Sequence, residues 1–237
     1  MYRFLVVLAV LLLCAPAWAQ EKVDVELVLA ADGSGSIDDD ELALQREGYA
    51  AAVTHPRFLA AIAGGFHQKV ALTYVEWGDP ESQETIVDWM LIDGPESAAA
   101  FAGKLRTQPR AAWGYNSISE AIAYGIDKML TNAFEGRRKI VDVSGDGPQM
   151  NGRPLADVHL LARQHRVTIN GLVVNLPGRV RTGPMGEPLD EHYRNDVIFG
   201  RGAFVMTAEG RQDIARAVLK KMILEIAEVN PVSPIRY

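Results

Sequence analysis

The sequence predicts an α/β domain: a mostly parallel central sheet with one antiparallel edge strand and helices on both faces. Three observations point to it. Strand-like apolar runs alternate with stretches of helical period along most of the chain, the pattern of βα units covering a sheet. The run Val23 to Ala31 is mostly apolar, as in a central strand buried on both sides. The link Gly78-Asp79-Pro80-Glu81-Ser82 is too short for a crossover, so its flanking strands pair antiparallel.

The elements follow in order. After the strand Val23 to Ala31, a helix from Asp38 to about Thr54 carries Leu42, Tyr49 and Val53 on one stripe. Lys69 to Trp77 and Glu84 to Ile92 read as strands, the latter as the antiparallel edge. Pro95 to Leu105 reads as a helix with proline in its first turn. Ser117 to Asn132 is a clear helix, striped by Ile118, Ile122, Ile126, Met129 and Leu130, with Ser117 and Glu120 spaced as a capping box. A strand (Lys139 to Ser144), a helix (Leu155 to His165) and a strand (Val167 to Asn175) come next. Leu176 to Pro188, rich in glycine and proline, is a loop. A short helix over Leu189 to Ile198 and a strand over Ala203 to Thr207 precede an amphipathic helix, Glu209 to Glu228, with Leu219, Met222, Ile223 and Ile226 inward. No repeat, low-complexity tract or interior linker divides the sequence. The reading is therefore one domain over 20–228 and an extended tail over 229–237, marked by Pro231 and Pro234.

Residues 1–19 fall outside this pattern. Arg3, an apolar run from Phe4 to Cys14 and Ala17-Trp18-Ala19 fit a secretory signal cut after Ala19. The run is too short to span a membrane comfortably, and the mature sequence offers no other span. Leu13 before Cys14 is not the small residue that lipid attachment prefers. Cleavage removes the only cysteine, leaving a chain suited to the periplasm or the outside of the cell. It also removes one basic residue and no acid, taking the net charge from −6 to −7. That charge argues against a nucleic-acid binder, which shows a basic footprint.

In an open parallel sheet, function gathers at the carboxyl ends of the strands. Three loops there carry oxygen donors: Asp32-Gly33-Ser34-Gly35-Ser36, Gly114-Tyr115-Asn116-Ser117 and Ser144-Gly145-Asp146-Gly147. Two carboxylates, several hydroxyls and an amide suit Mg²⁺ or Mn²⁺ with some water retained. The alternating glycines let the first loop turn tightly enough to aim both hydroxyls at one point. The acids Asp38 to Glu41 most simply complement the start of a helix. The five histidines show no metal-ligand spacing.

Asp32-x-Ser34-x-Ser36, a polar residue ahead of a mid-chain helix, and the late Asp146-Gly147 resemble the metal-ion-dependent adhesion site of the von Willebrand factor type A (vWA) superfamily. The stretches LALQREGYAAAV, VDVSGDGP and VIFGRGAFV resemble an exported bacterial branch of it. The resemblance implies a Rossmann-like vWA fold over nearly the whole mature chain. It implies Ser34 and Ser36 as direct ligands and Asp32 and Asp146 as direct or water-mediated ones. Asn116 stands where the family usually has threonine, so Asn116 or Ser117 would complete the set. Asp39 and Asp40 occupy the spacing at which some adhesion receptors of the superfamily hold a second cation. The implied function is not catalysis. It is a protein-interaction module whose partner offers a carboxylate to the metal. The loop charges Arg179 and Arg181 could steer such an acidic partner.

Three rival readings fit the residues less well. A dinucleotide enzyme needs Gly-x-Gly-x-x-Gly, and only Gly33 and Gly35 fit, with Asp32 repelling the pyrophosphate. A metal-dependent phosphohydrolase wants a second acid where Ser34 stands and a lysine for the phosphate. A vWA domain with a degenerate site would bind partners by shape alone. N-terminal sequencing of the exported protein is expected to begin at Gln20; an intact Met1 on a cytoplasmic protein would contradict the signal assignment.

Overall fold

A computed structural model of the chain describes residues 20–175, 178 and 181–227. The expected signal, the tail from 229 on, and Arg179 lie outside the described residues. The elements are β1 (Glu21–Asp32), α1 (Asp39–Thr54), α2 (Pro56–Ala63), β2 (Val70–Trp77), β3 (Gln83–Ile92), α3 (Pro95–Thr107), α4 (Ile118–Leu130), β4 (Phe134–Gly145), α5 (Leu155–His165), β5 (Val167–Asn175), α6 (Leu189–His192), β6 (Val205–Glu209) and α7 (Ile214–Ile226). The six strands form one sheet in the order β3-β2-β1-β4-β5-β6. All neighbours pair parallel except β2 and β3, so β3 is the antiparallel edge.

β1 lies at the centre and is buried from Val23 to Asp32. Its side chains alternate between two cores, as the two-residue period of a strand demands. Leu27, Leu29 and Ala31 join the core with Tyr49 and Val53 of α1, Phe101 and Leu105 of α3, and Val218 and Met222 of α7. Val28 and Ala30 join the opposite core with Ile118, Ile122 and Ile126 of α4 and Val158 and Ala162 of α5. Each buried side chain of this size contributes about 1.5–3 kcal/mol. Parallel pairing of β1 with β4, in register at Ala31 and Ser144, brings Asp32 and Gly145 to the same end of the sheet.

Several local expectations are corrected. Asp38 does cap α1, reciprocally with Glu41, but Ser117 makes no side-chain cap on α4. Glu120, its expected partner, pairs with Arg153 instead. Leu130 is exposed rather than on the α4 stripe. The helix expected over 189–198 is α6 followed by a π-turn, Tyr193–Val197. The last helix starts at Ile214, after a short 3₁₀ turn over Arg211–Asp213. The helix α2 was not foreseen.

The inward face of α7 also carries two charges. Lys221 and Glu225 are fully buried, and Lys221 contacts both Glu225 and Asp142 of β4. Asn170 of β5 donates to Glu225 Oε1 at 3.0 Å. One lysine cannot neutralise two carboxylates in a dry site. Burial, reinforced by Asp142, pushes Glu225 from 4.5 to about 7 despite Lys221, and burial raises Asp142 as well. A carboxyl raised in the folded state stabilises fully below its unfolded value, and that contribution disappears as pH rises through the folded value. Wild-type stability is therefore expected to fall from about pH 5 to pH 8 relative to Glu225→Gln, measured by denaturant unfolding at each pH. Parallel pH profiles would remove Glu225 from the account.

Candidate metal centre

The loop leaving β1 is folded by its own donors. Ser34 N–H donates to Asp32 Oδ1 at 2.8 Å, and Ile37 N–H to Ser34 O at 3.0 Å. The two serine hydroxyls then lie 2.9 Å apart, and Ser36 donates to Asp146 Oδ1 at 2.9 Å. Asp146 N–H reaches back to Asp32 Oδ2 at 3.4 Å. Asp32, Ser34, Ser36 and Asp146 thus form one connected cluster, although Asp32 and Asp146 are 114 residues apart.

Asp32, Ser34 and Asp146 are buried. Desolvation, and next the charge of Asp146, push Asp32 up to about 7 against the pull of its Ser34 hydrogen bonds. Tyr193, buried below them, donates to Gly147 O at 3.3 Å. Burial first, then the two aspartates, drives its phenol upward. The two buried carboxylates make the site acidic.

Of the two candidates on the middle loop, Asn116 reaches the cluster. Its Nδ2 lies 2.4 Å from where a side chain at Gly147 would begin, so a larger residue beside Asp146 would have to displace the Asn116 amide. That Nδ2 is buried without a hydrogen-bond partner, as is Asp146 Oδ2. Ser117 faces elsewhere: its hydroxyl donates to Asn151 O at 2.8 Å and lies against Gly152, bracing the loop after β4. Gly114 adopts φ +94°, and a side chain there would collide with the Asp79 carboxylate, which accepts from Tyr115 N–H.

Two arginines that sequence reasoning did not place at the site prove central. Arg110 Nη2 donates to Gly33 O and Ser34 O at 2.8 and 2.7 Å, and its Nη1 to Ile37 O at 2.9 Å. The same Nη1 pairs with Asp39 Oδ1 at 3.1 Å, and the guanidinium stacks on Trp113, 4.4 Å from the ring centre. No motif flags Arg110, because its partners are main-chain carbonyls distant in sequence. Arg181, read from sequence as a loop charge for steering, lies instead at the site, with Nη2 3.4 Å from Asp146 Oδ2.

Glu187, His192 and Asp196 also gather, with potential ligand atoms all within 4.8 Å of one another. No residue spacing in the sequence marks this group. Its hydrogen bonds favour a structural brace over a cation site. Gln149 N–H can only donate, so His192 Nε2 accepts from it at 3.3 Å and the ring proton sits on Nδ1, 2.9 Å from Asp196. A metal on Nδ1 would shift that proton to Nε2, facing the Gln149 N–H. His192 thereby ties the loop after Asp146 to the segment carrying Arg181.

Solved structures share this architecture. The pilus adhesin SpaC from Lactobacillus rhamnosus GG matches with a TM-score of 0.60 and 12% identity, over 87% of this chain and 31% of its own. Proximal thread matrix protein 1 from the mussel byssus, with a zinc-occupied MIDAS motif, gives 0.57 and 14%, over 86% of this chain and 46% of its own. The von Willebrand factor type A structure from Catenulispora acidiphila gives 0.58 and 13%, over 86% and 43%. This chain spans less than half the length of each. At such identities the likeness establishes the fold, which is of the von Willebrand factor type A kind. No curated protein sequence matches the chain. The family model described as "Protein of unknown function (DUF1194)" matches residues 22–230, and the chain belongs to that family.

Proposed function

We propose that this protein is an exported interaction module that binds a protein partner through a divalent cation. Asp32, Ser34, Ser36 and Asp146 hold the ion and Asn116 assists. One observation carries the reading. Ser34 Oγ, Ser36 Oγ and Asp146 Oδ1 are spaced at 2.9 and 2.9 Å. Ligands about 2.0–2.1 Å from an octahedral Mg²⁺ are separated along each edge by about 2.8–3.0 Å. Those two spacings are compatible with two edges of such an octahedron.

The unpartnered atoms support it. A half-turn of the Asn116 amide replaces the orphaned Nδ2 with Oδ1, an assignment that hydrogen bonding decides. Asp146 Oδ2 likewise lacks a hydrogen-bond donor. An all-oxygen donor set suits Mg²⁺ or Mn²⁺ better than zinc, the ion in the mussel protein's motif. Ser117 serves as a brace. The ion would supply a Lewis-acidic position open to a carboxylate, while the protein excludes water from the inner side.

The surroundings suit a protein partner. Trp113, Tyr115, Met150 and Met185, four of the eight exposed large apolar side chains among the described residues, lie on loops flanking the cluster. Aromatic and methionine side chains of this kind are enriched at interfaces. No helix among the described residues is long and apolar enough to cross a membrane. Export rests on the signal pattern of residues 1–19.

Metal is expected to raise the melting temperature. At a concentration about a hundred times Kd, a ligand of the folded state adds roughly 2.7 kcal/mol. The rise should vanish in Asp32→Ala, and a wild-type melt indifferent to Mg²⁺, Mn²⁺ and chelator would refute the site. Arg110→Ala is expected to lose about 1.5–3 kcal/mol, the scale of charged hydrogen bonds, to weaken Mn²⁺ binding and to shift Trp113 fluorescence. Unchanged Mn²⁺ affinity in a destabilised Arg110→Ala would show that the clamp serves the fold alone.

A further inference from the structure

We infer that Arg181 is a ligand-binding residue. With the metal it forms a two-cation receptor for a single carboxylate. This rests on the metal reading above and names what the loaded site recognises. Arg181 Nη2 is 3.4 Å from Asp146 Oδ2, and its Nη1 lies 3.2 Å from the side-chain position at Gly147 that the Asn116 amide also borders. The guanidinium therefore lies over Asp146 and Gly147, where the Asn116 amide also approaches. Its side chain is 32% exposed, whereas Asp146 is 3% exposed. Of the two, Arg181 is the group that solvent, and so a dissolved anion, can reach.

The pairing is loose. Ionised hydrogen-bond partners normally close to about 2.7–2.9 Å, so at 3.4 Å an incoming anion can engage the guanidinium without breaking a tight bond. Arg110 differs, because its donors are engaged by the backbone of the first loop. The placement of Arg181 is built in. Thr182 bridges Pro188, Gly183 N–H donates to Glu187 O at 2.8 Å, and Glu187 lies 3.6 Å from the buried His192 ring.

Charge then sets the ligand. Two carboxylates cancel one divalent ion, and Arg181 leaves the loaded site with one net positive charge. A lone carboxylate neutralises it, with one oxygen on the metal and the other on the planar guanidinium fork. The same positive charge opposes the metal itself. Removing it must therefore act in opposite directions on the two binding steps, which loss of a merely structural contact cannot do.

The test titrates Mn²⁺ into the protein, then acetate into the Mn²⁺-loaded protein, read by water-proton relaxation. Arg181→Gln is expected to bind Mn²⁺ up to about fivefold more tightly and acetate up to about fivefold more weakly, the upper range for a partly exposed ion pair. Arg181→Lys, which keeps the charge, should restore the Mn²⁺ value and part of the acetate binding. Blocked glutamate, with only a side-chain carboxylate, and N-acetylalanine, with only a terminal one, are titrated in parallel to tell which source the site accepts. Weakening of both steps, or unchanged acetate binding, in Arg181→Gln overturns the assignment. Absence of any Mn²⁺ binding in wild type and variant alike overturns the metal reading itself, and this inference with it.

Discussion

Everything at the candidate site depends on one constraint: two buried carboxylates of like charge held side by side. Parallel pairing of β1 and β4 delivers Asp32 and Asp146 to adjacent strand ends. The Asp146 N–H then donates to Asp32, so the backbone cannot let them part without losing that contact. Burial removes the water that would screen them. The remedies are a proton, a metal ion or a protein cation, and the surrounding structure reads as provision for them.

That provision divides between two arginines with different duties. Arg110 spends its donors on carbonyls of the first loop and one exposed acid, so it shapes the loop while adding little to the charge at the metal position. Its stacking on Trp113 couples that loop to an exposed aromatic on the next. Arg181 instead faces an acid of the cluster. His192 links the loop after Asp146 to its own helical segment, accepting from Gln149 N–H on Nε2 while Nδ1 faces Asp196. The loops, which would otherwise repel one another, are thus bound to a rigid sheet end by groups that carry or accept positive charge.

The opposite interior repeats the problem without a functional solution. Asp142, Lys221 and Glu225 leave one carboxylate uncompensated between β4 and α7. The group lies on the strand that ends in Asp146 and is buried away from any open hollow. Replacing such ionic clusters by apolar residues is often neutral or stabilising. Its expected effect here is to make stability sensitive to pH.

The sheet and most of its helices are legible in the sequence, because strand and helix periods depend only on neighbours along the chain; α2 is the exception. The sequence also determined the donor-bearing loops, since Asp32, Ser34, Ser36 and Asp146 follow strand-like runs and glycines mark the turns. Element ends and side-chain commitments were not legible. Ser117 fits a cap by spacing, yet its hydroxyl is taken by Asn151. Arg181 reads from sequence as a charge steering a partner toward the site, and nothing within its loop records that it pairs with Asp146. Arg110 and His192 bind backbone groups far away in sequence, and such partners carry no residue signature. Which charges meet is set by the fold, because electrostatics in a desolvated site depends on distance in space rather than along the chain.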